Sequence, residues 1–190
     1  MYKASDRDEA PQVLSNLTLG FSSDPFMRWL YPEPKEFLRH FPLVMDFFGG
    51  RAFDHGSAFR NDEFTAGALW LPPTIHPDEE QLVTCFEQTV SKDKHDALFE
   101  TFGQMEKYHP NEDCWHLAFI AVDPAHQGKG SGSALLEACL KHCDEDGRPA
   151  YLESTNPANL SLYKRHGFEE MGLIKADQAP PLFPMFRVAR

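Results

Sequence analysis

Positive charge is scarce in this 190-residue chain: 18 Lys and Arg stand against 29 Asp and Glu, a formal net charge of −11. A protein that grips nucleic acid through a broad surface needs the opposite balance, because phosphate neutralisation supplies most of that affinity. Long apolar runs are also missing. No stretch is long enough to cross a bilayer, and the opening Met-Tyr-Lys-Ala-Ser-Asp lacks the apolar core of a secretory signal. Cysteine is limited to Cys85, Cys114, Cys139 and Cys143. These lack zinc-ribbon spacing, and the last two fall on the apolar stripe of an expected helix, so the reading is small buried thiols in a reducing cytoplasm. His109, His126, His142 and His166 form no ligand spacing either, and no metal is expected. Low-complexity tracts are absent, and 42% hydrophobic content suffices for the core of one domain spanning residues 1–190.

What is present centres on residues 116–132, His-Leu-Ala-Phe-Ile-Ala-Val-Asp-Pro-Ala-His-Gln-Gly-Lys-Gly-Ser-Gly. The apolar run Leu117 to Val122 has the length of a buried strand. Asp123-Pro124 ends it, since proline donates no ladder bond and restricts the residue before it. Gly128, Gly130 and Gly132 follow, and then Leu136, Cys139, Leu140 and Cys143 recur at helical spacing. Strand, glycine loop and helix together make an anion site. The first helical turn has N–H groups without internal partners, and glycine lets a phosphate approach the backbone. Two nucleotide motifs fail. A P-loop needs glycine where Asp123 stands and Ser or Thr directly after the lysine, but Gly130 follows Lys129. The dinucleotide pattern ends on Ser133 or Leu135 where it requires glycine or alanine.

The pattern that fits is Gln-x-x-Gly-x-Gly at Gln127, Gly130 and Gly132. It resembles the acetyl-CoA pyrophosphate loop of the GNAT acetyltransferases. A second block, Tyr151 to Phe168, resembles that family's later strand followed by its Asn…Leu-Tyr-x-x-x-Gly-Phe helix. Both blocks lie in the right order, so the resemblance is strong over residues 114–188 and weak before them. It implies an α/β (α+β) GNAT fold: a mixed, mostly antiparallel central sheet with helices on both faces. Residues 1–73 would be the acceptor-side half, 114–190 the acetyl-CoA-binding half, and 74–113 a helical insertion between strands 3 and 4. The insertion reads either as a flap over the acceptor site or as a helical pair packed on one edge.

Ahead of the central stretch, Tyr2 to Ser5 reads as a short strand. Asp6 reads as the cap of a helix from about Asp8 to Leu19. Aromatics crowd the segment from Phe26 to Phe48, where Pro34 starts a helix and Pro42 restarts or kinks it. Arg51 to Phe59 and Phe64 to Leu71 read as two strands joined at Asn61-Asp62. Asp78 caps one insertion helix, and Leu98, Phe102 and Met105 mark another. Phe168 to Lys175 and Leu182 to Val188 read as the closing strands.

Amine acetylation needs a neutral amine, donors for the oxyanion on the acetyl carbonyl, and a proton for the departing thiolate. The loop Gln127, Gly128, Lys129, Gly130, Ser131 and Gly132 would hold the diphosphate, with Lys129 either adding charge or merely solvated. By resemblance, the backbone of Ile120, Ala121 and Val122 pairs with the pantetheine arm. Tyr163 takes the place where the family commonly sets a tyrosine near the sulfur, and is the candidate acid. Asn159 resembles the asparagine that contacts pantetheine. Asn156 has two readings, cofactor contact or helix cap ahead of Pro157. His116 aligns where several relatives carry a catalytic glutamate and is the candidate base, against a satisfied sheet histidine; Glu153 is the second candidate base. The expected function is acetyl-CoA-dependent N-acetyl transfer to a primary amine, small molecule or peptide, by direct transfer in a monomer or homodimer. Its rivals are a non-catalytic acyl-CoA-binding sensor or partner module and a transferase for a longer acyl group.

Overall fold

The computed structural model describes residues 1–190. Seven strands form one sheet: β1 Tyr2–Ser5, β2 Ala58–Asn61, β3 Ala66–Leu71, β4 Trp115–Val122, β5 Ala150–Ser154, β6 Glu169–Glu170 and β7 Phe183–Arg187. Their spatial order is β1-β2-β3-β4-β5-β7-β6. Every pairing is antiparallel except β4 with β5. The helices are α1 Ala10–Gly20, α2 Pro25–Leu30, α3 Pro34–Gly49, α4 Glu79–Thr89, α5 His95–Tyr108, α6 Ser131–Glu145 and α7 Leu160–Arg165.

Two apolar cores sandwich the sheet. On one side α1 to α5 bury Leu17, Phe37, Phe41, Phe86 and Leu98 around Leu69 and Phe119. On the other, Leu136, Cys139 and Leu140 of α6 and Tyr163 of α7 close over Trp70, Leu117 and Leu152. A mostly antiparallel mixed sheet with helices on both faces is therefore what forms. Between β3 and β4 lie α4 and α5. Their apolar stripes, Leu82, Cys85 and Phe86 on α4 and Leu98 on α5, turn inward, as helical periodicity requires.

The path of β4 matters most for function. Its register with β3 slips by one residue: Leu69 faces Phe119 and Trp70 faces Leu117, leaving Ala118 without a partner. Such an extra residue bends the strand. With β5, β4 pairs only at Trp115↔Ala150 and His116↔Tyr151. Both strands continue past that point, β4 to Val122 and β5 to Ser154, so a gap opens between them. Gly20, ending α1, abuts β4 so closely that a methyl group there would collide with Ala121.

Several expectations are corrected. Residues 51–57 are not strand. Gly50–Phe53 form a 3-10 turn, and the Ser57 N–H donates back to the Ala52 carbonyl at 2.9 Å. That local bonding leaves only Ala58 onward free to pair with β1 and β3. Pro42 neither restarts nor breaks α3, which runs unbroken from Pro34 to Gly49. The burial of Phe37, Phe41, Val44 and Met45 on one face holds it together, since packing outweighs one lost donor. The strand expected over 168–175 shrinks to Glu169–Glu170 plus an isolated bridge, Ile174↔Leu182. The next position of β7 is Pro184, which accepts from the Met171 N–H at 2.8 Å but has no donor to return. Asp6 caps the preceding turn, accepting from the Asp8 and Glu9 N–H groups, and α1 begins only at Ala10.

Candidate active site

The glycine loop leads directly into α6. Gly128 and Gly130 take positive φ, +76° and +84°, with open space where a side chain would sit. This left-handed region is costly for other residues. Gln127 Nε2 donates to the Val122 carbonyl at 2.9 Å and ties the loop to the end of β4. The Tyr2 hydroxyl donates to the Ser131 carbonyl at 2.8 Å and fixes the first turn of α6 from the other side. Ala134 is the first N–H of the helix to find a carbonyl, that of Gly130 at 3.0 Å. The seven N–H groups from Gln127 through Ser133 have no acceptor within the chain. A run of free donors at a helix mouth, with glycine clearing the approach, fits a diphosphate. Lys129 is exposed beside it. Ser133 Oγ lies 2.7 Å from His166 Nε2, so that hydroxyl is engaged at the same turn.

Ile120, Ala121 and Val122 lie on β4 beyond the point where β5 leaves it, with the gap beside them. At the apex of the gap sit His116 and Glu153. His116 Nε2 is 2.8 Å from Glu153 Oε2, and both side chains are more than nine-tenths buried. A carboxylate only accepts, so Nε2 carries the hydrogen and Nδ1 is the free ring atom of the neutral histidine. His109 stacks edge-on, with its ring 5.6 Å from that of His116 and 5.1 Å from that of Tyr151. Burial, and next the neighbouring His116, lower the pKa of His109. Burial, and next the charge of Glu153, raise that of Tyr151, whose hydroxyl makes no hydrogen bond of its own.

Farther along the gap is a carboxylate that sequence reading missed. Asp24 is buried at the start of α2, where it accepts from the Phe26 and Met27 N–H groups, both at 3.0 Å. Its other oxygen accepts from the Thr155 hydroxyl at 2.5 Å. Burial raises the pKa of Asp24 despite those three donors. Tyr163 faces this group from α7. Burial first, and the Asp24 charge second, push its phenol well above the usual value, so it keeps its proton across the working range of a protein. Asp24-Pro25 in the sequence signals a helix start. Nothing there indicates that its second oxygen would reach Thr155.

The remaining assignments divide. Asn156 Oδ1 accepts from the Ala158 N–H at 3.0 Å, which is the capping alternative and occupies that oxygen. Asn159 is exposed one step later and caps nothing. A cavity of about 690 Å³ opens between the sheet and the 74–113 segment, with His116 and Glu153 in its lining.

Two splayed parallel strands with a loop of unpaired N–H groups at their mouth are an arrangement that suits a phosphorylated ligand laid along a strand edge. The family model "Acetyltransferase (GNAT) family" matches residues 82–168, which hold the loop, the gap strands and Tyr163. Over those residues the chain is similar to the GNAT acetyltransferase family. An uncharacterized N-acetyltransferase of Schizosaccharomyces pombe is 34% identical over 80 residues, 40% of this chain and 32% of that protein. The N-alpha-acetyltransferase RimI of Mycobacterium tuberculosis is 45% identical over 56 residues, 28% of this chain and 34% of that protein. The chain thus spans about a third of the length of the curated relatives it matches. A Corynebacterium glutamicum structure described as histone acetyltransferase HPA2 and related acetyltransferase aligns over 100% of this chain and 96% of that one. Its TM-score is 0.69 at 24% identity, a likeness of fold.

Proposed function

We propose that the protein moves an acetyl group from acetyl-CoA to a primary amine by direct transfer, with both substrates bound together. The observation that carries this reading is the run of seven unpaired N–H groups from Gln127 to Ser133, set at the open end of the gap between β4 and β5. The residues present suit coenzyme A. Loop amides and Lys129 hold the diphosphate, and the free edge of β4 at Ile120, Ala121 and Val122 offers main-chain partners to the pantetheine amides, in the manner of an added strand. Asn159 stands beside that arm. When bound, the cosubstrate supplies an acetyl thioester activated for attack.

Protons are handled by this chain's own groups. His116 Nδ1 takes a proton from the incoming ammonium, directly or through one water. Glu153 holds the Nε2–H, fixes the tautomer and favours the imidazolium that results. Tyr163 gives its phenolic proton to the departing sulfur, and its raised pKa keeps the phenol protonated at every working pH. No helix is long and apolar enough to cross a membrane, and four free, buried cysteines are in keeping with a cytoplasmic setting.

The test is an amine panel with acetyl-CoA, read as release of free thiol. Amine-dependent release that falls in Tyr163→Phe supports transfer. Tight CoA binding with no release from any amine would favour a non-catalytic acyl-CoA-binding module.

A further inference from the structure

The cavity beneath α4 and α5 has a one-sided chemistry. Phe48, Phe86, Phe99 and Phe102 supply an aromatic wall, and Leu82, Val83 and Met105 extend it. His116 and Glu153 lie at its inner end; Glu79, Glu106, Glu112 and Asp113 are the exposed carboxylates in its lining. No lysine or arginine lines it. His116 is buried, lines the cavity, and has its Nδ1 free of any partner in the chain.

Gly103 adds an independent observation. It sits inside α5, where glycine is the poorest non-proline choice, and it lines the cavity. A Cβ there would meet nothing within 4 Å, so neither close packing nor backbone strain calls for glycine. Its effect is to keep that wall of the cavity open.

We propose that the 74–113 segment builds the acceptor pocket, and that the acceptor is a small primary amine with a bulky apolar or aromatic body and no carboxylate. This rests on the acetyl-transfer reading above. The ammonium is drawn past the acidic rim to the His116–Glu153 pair, and the body lies against the phenylalanines beside Gly103. A volume of about 690 Å³ is in the range of pockets for compact organic ligands. An amino acid would bring a carboxylate to a lining without a cation, leaving that charge unpaired. A short diamine would leave the aromatic wall unfilled.

The experiment compares phenethylamine, phenylalanine, putrescine and ethylamine, using wild type and Gly103→Phe with acetyl-CoA. The kcat/KM for phenethylamine should exceed that for phenylalanine about 100-fold and that for putrescine about tenfold. Gly103→Phe should raise KM for phenethylamine about tenfold and for ethylamine far less. Gly103→Ala, which favours the helix, should raise the melting temperature and shift KM for phenethylamine in the same direction by a smaller factor. A preference for phenylalanine or putrescine, or an equal response of both monoamines to Gly103→Phe, overturns the proposal. Calorimetric binding of phenethylamine to the CoA-saturated protein separates the two readings. Binding that Gly103→Phe weakens, without turnover, keeps the pocket and removes the transfer. Turnover indifferent to Gly103 keeps the transfer and removes the pocket. Neither binding nor turnover removes both.

Discussion

His116 of β4, in the last residue pair that the two parallel strands share, lies 2.8 Å from Glu153 of β5, two residues beyond its strand partner Tyr151. The strands part immediately beyond, so the pair stands at the apex of the gap with one imidazole nitrogen fixed and the other free. If His116 is the base, His116→Ala should lower kcat about 10²- to 10⁴-fold. The loss should shrink at alkaline pH, where the amine is already neutral in solution and needs no base. Glu153→Gln keeps the shape but accepts the Nε2–H more weakly, and should cost less than removing the histidine. Steady-state rates across a pH series check this; an unchanged profile in His116→Ala removes it from the mechanism.

Tyr163 makes a separate prediction. Tyr163→Phe should cut kcat about 100-fold and leave CoA affinity nearly unchanged, since only the hydroxyl is lost. Because burial and the nearby Asp24 raise its pKa, the phenol should not produce an alkaline limb below about pH 10. A wild-type rate in the mutant would show that the thiolate is protonated from elsewhere.

Acid stability should depend on Asp144. This carboxylate accepts from both Nη atoms of buried Arg187 at 2.8 Å and from the Arg190 N–H at 2.9 Å. The Arg187 hydrogen bonds, first among the causes, hold its pKa below the ordinary value. A folded-state pKa depressed below the unfolded one gives stability that is present above the unfolded value. It is lost as pH falls through the folded one. Asp144→Ala should cost about 3 kcal/mol at neutral pH, because Arg187 is left buried and unpaired. The gap between mutant and wild type should narrow below about pH 4. Urea denaturation at both pH values measures it.

The cysteines should be inert while the protein is folded. Burial pushes the Cys114 and Cys143 thiols up to about 12 and raises Cys85 and Cys139 as well. Only a thiolate reacts quickly. A disulfide reagent at about pH 8 should label all four after denaturation and none before. Fast labelling of the native protein at any one would contradict the packing described.

What the sequence made legible was local. Gln127, Gly130 and Gly132 are close together in the chain, and their spacing with β4 and α6 specifies the turn they make. Tyr163 and the helix around it were legible for the same reason. Asp24 was not, because its contact with Thr155 joins residues 131 positions apart, and no periodicity records such a meeting. The same holds for His109, which reaches His116 only because α5 returns the chain to the start of β4. Pro184 shows the converse: its missing donor was visible, but its effect on residues 171–175 required knowing which strand it faced.

The proposed function rests on main-chain amides from Gln127 to Ser133 holding the diphosphate of coenzyme A. Calorimetric titration of wild type and Gly130→Val with CoA tests it directly. A valine cannot take φ near +84° without strain, so the loop should open and affinity should fall about tenfold or more. One CoA per chain with that loss in the variant is the expected result. No detectable association with wild type, or equal affinity in the variant, would contradict it.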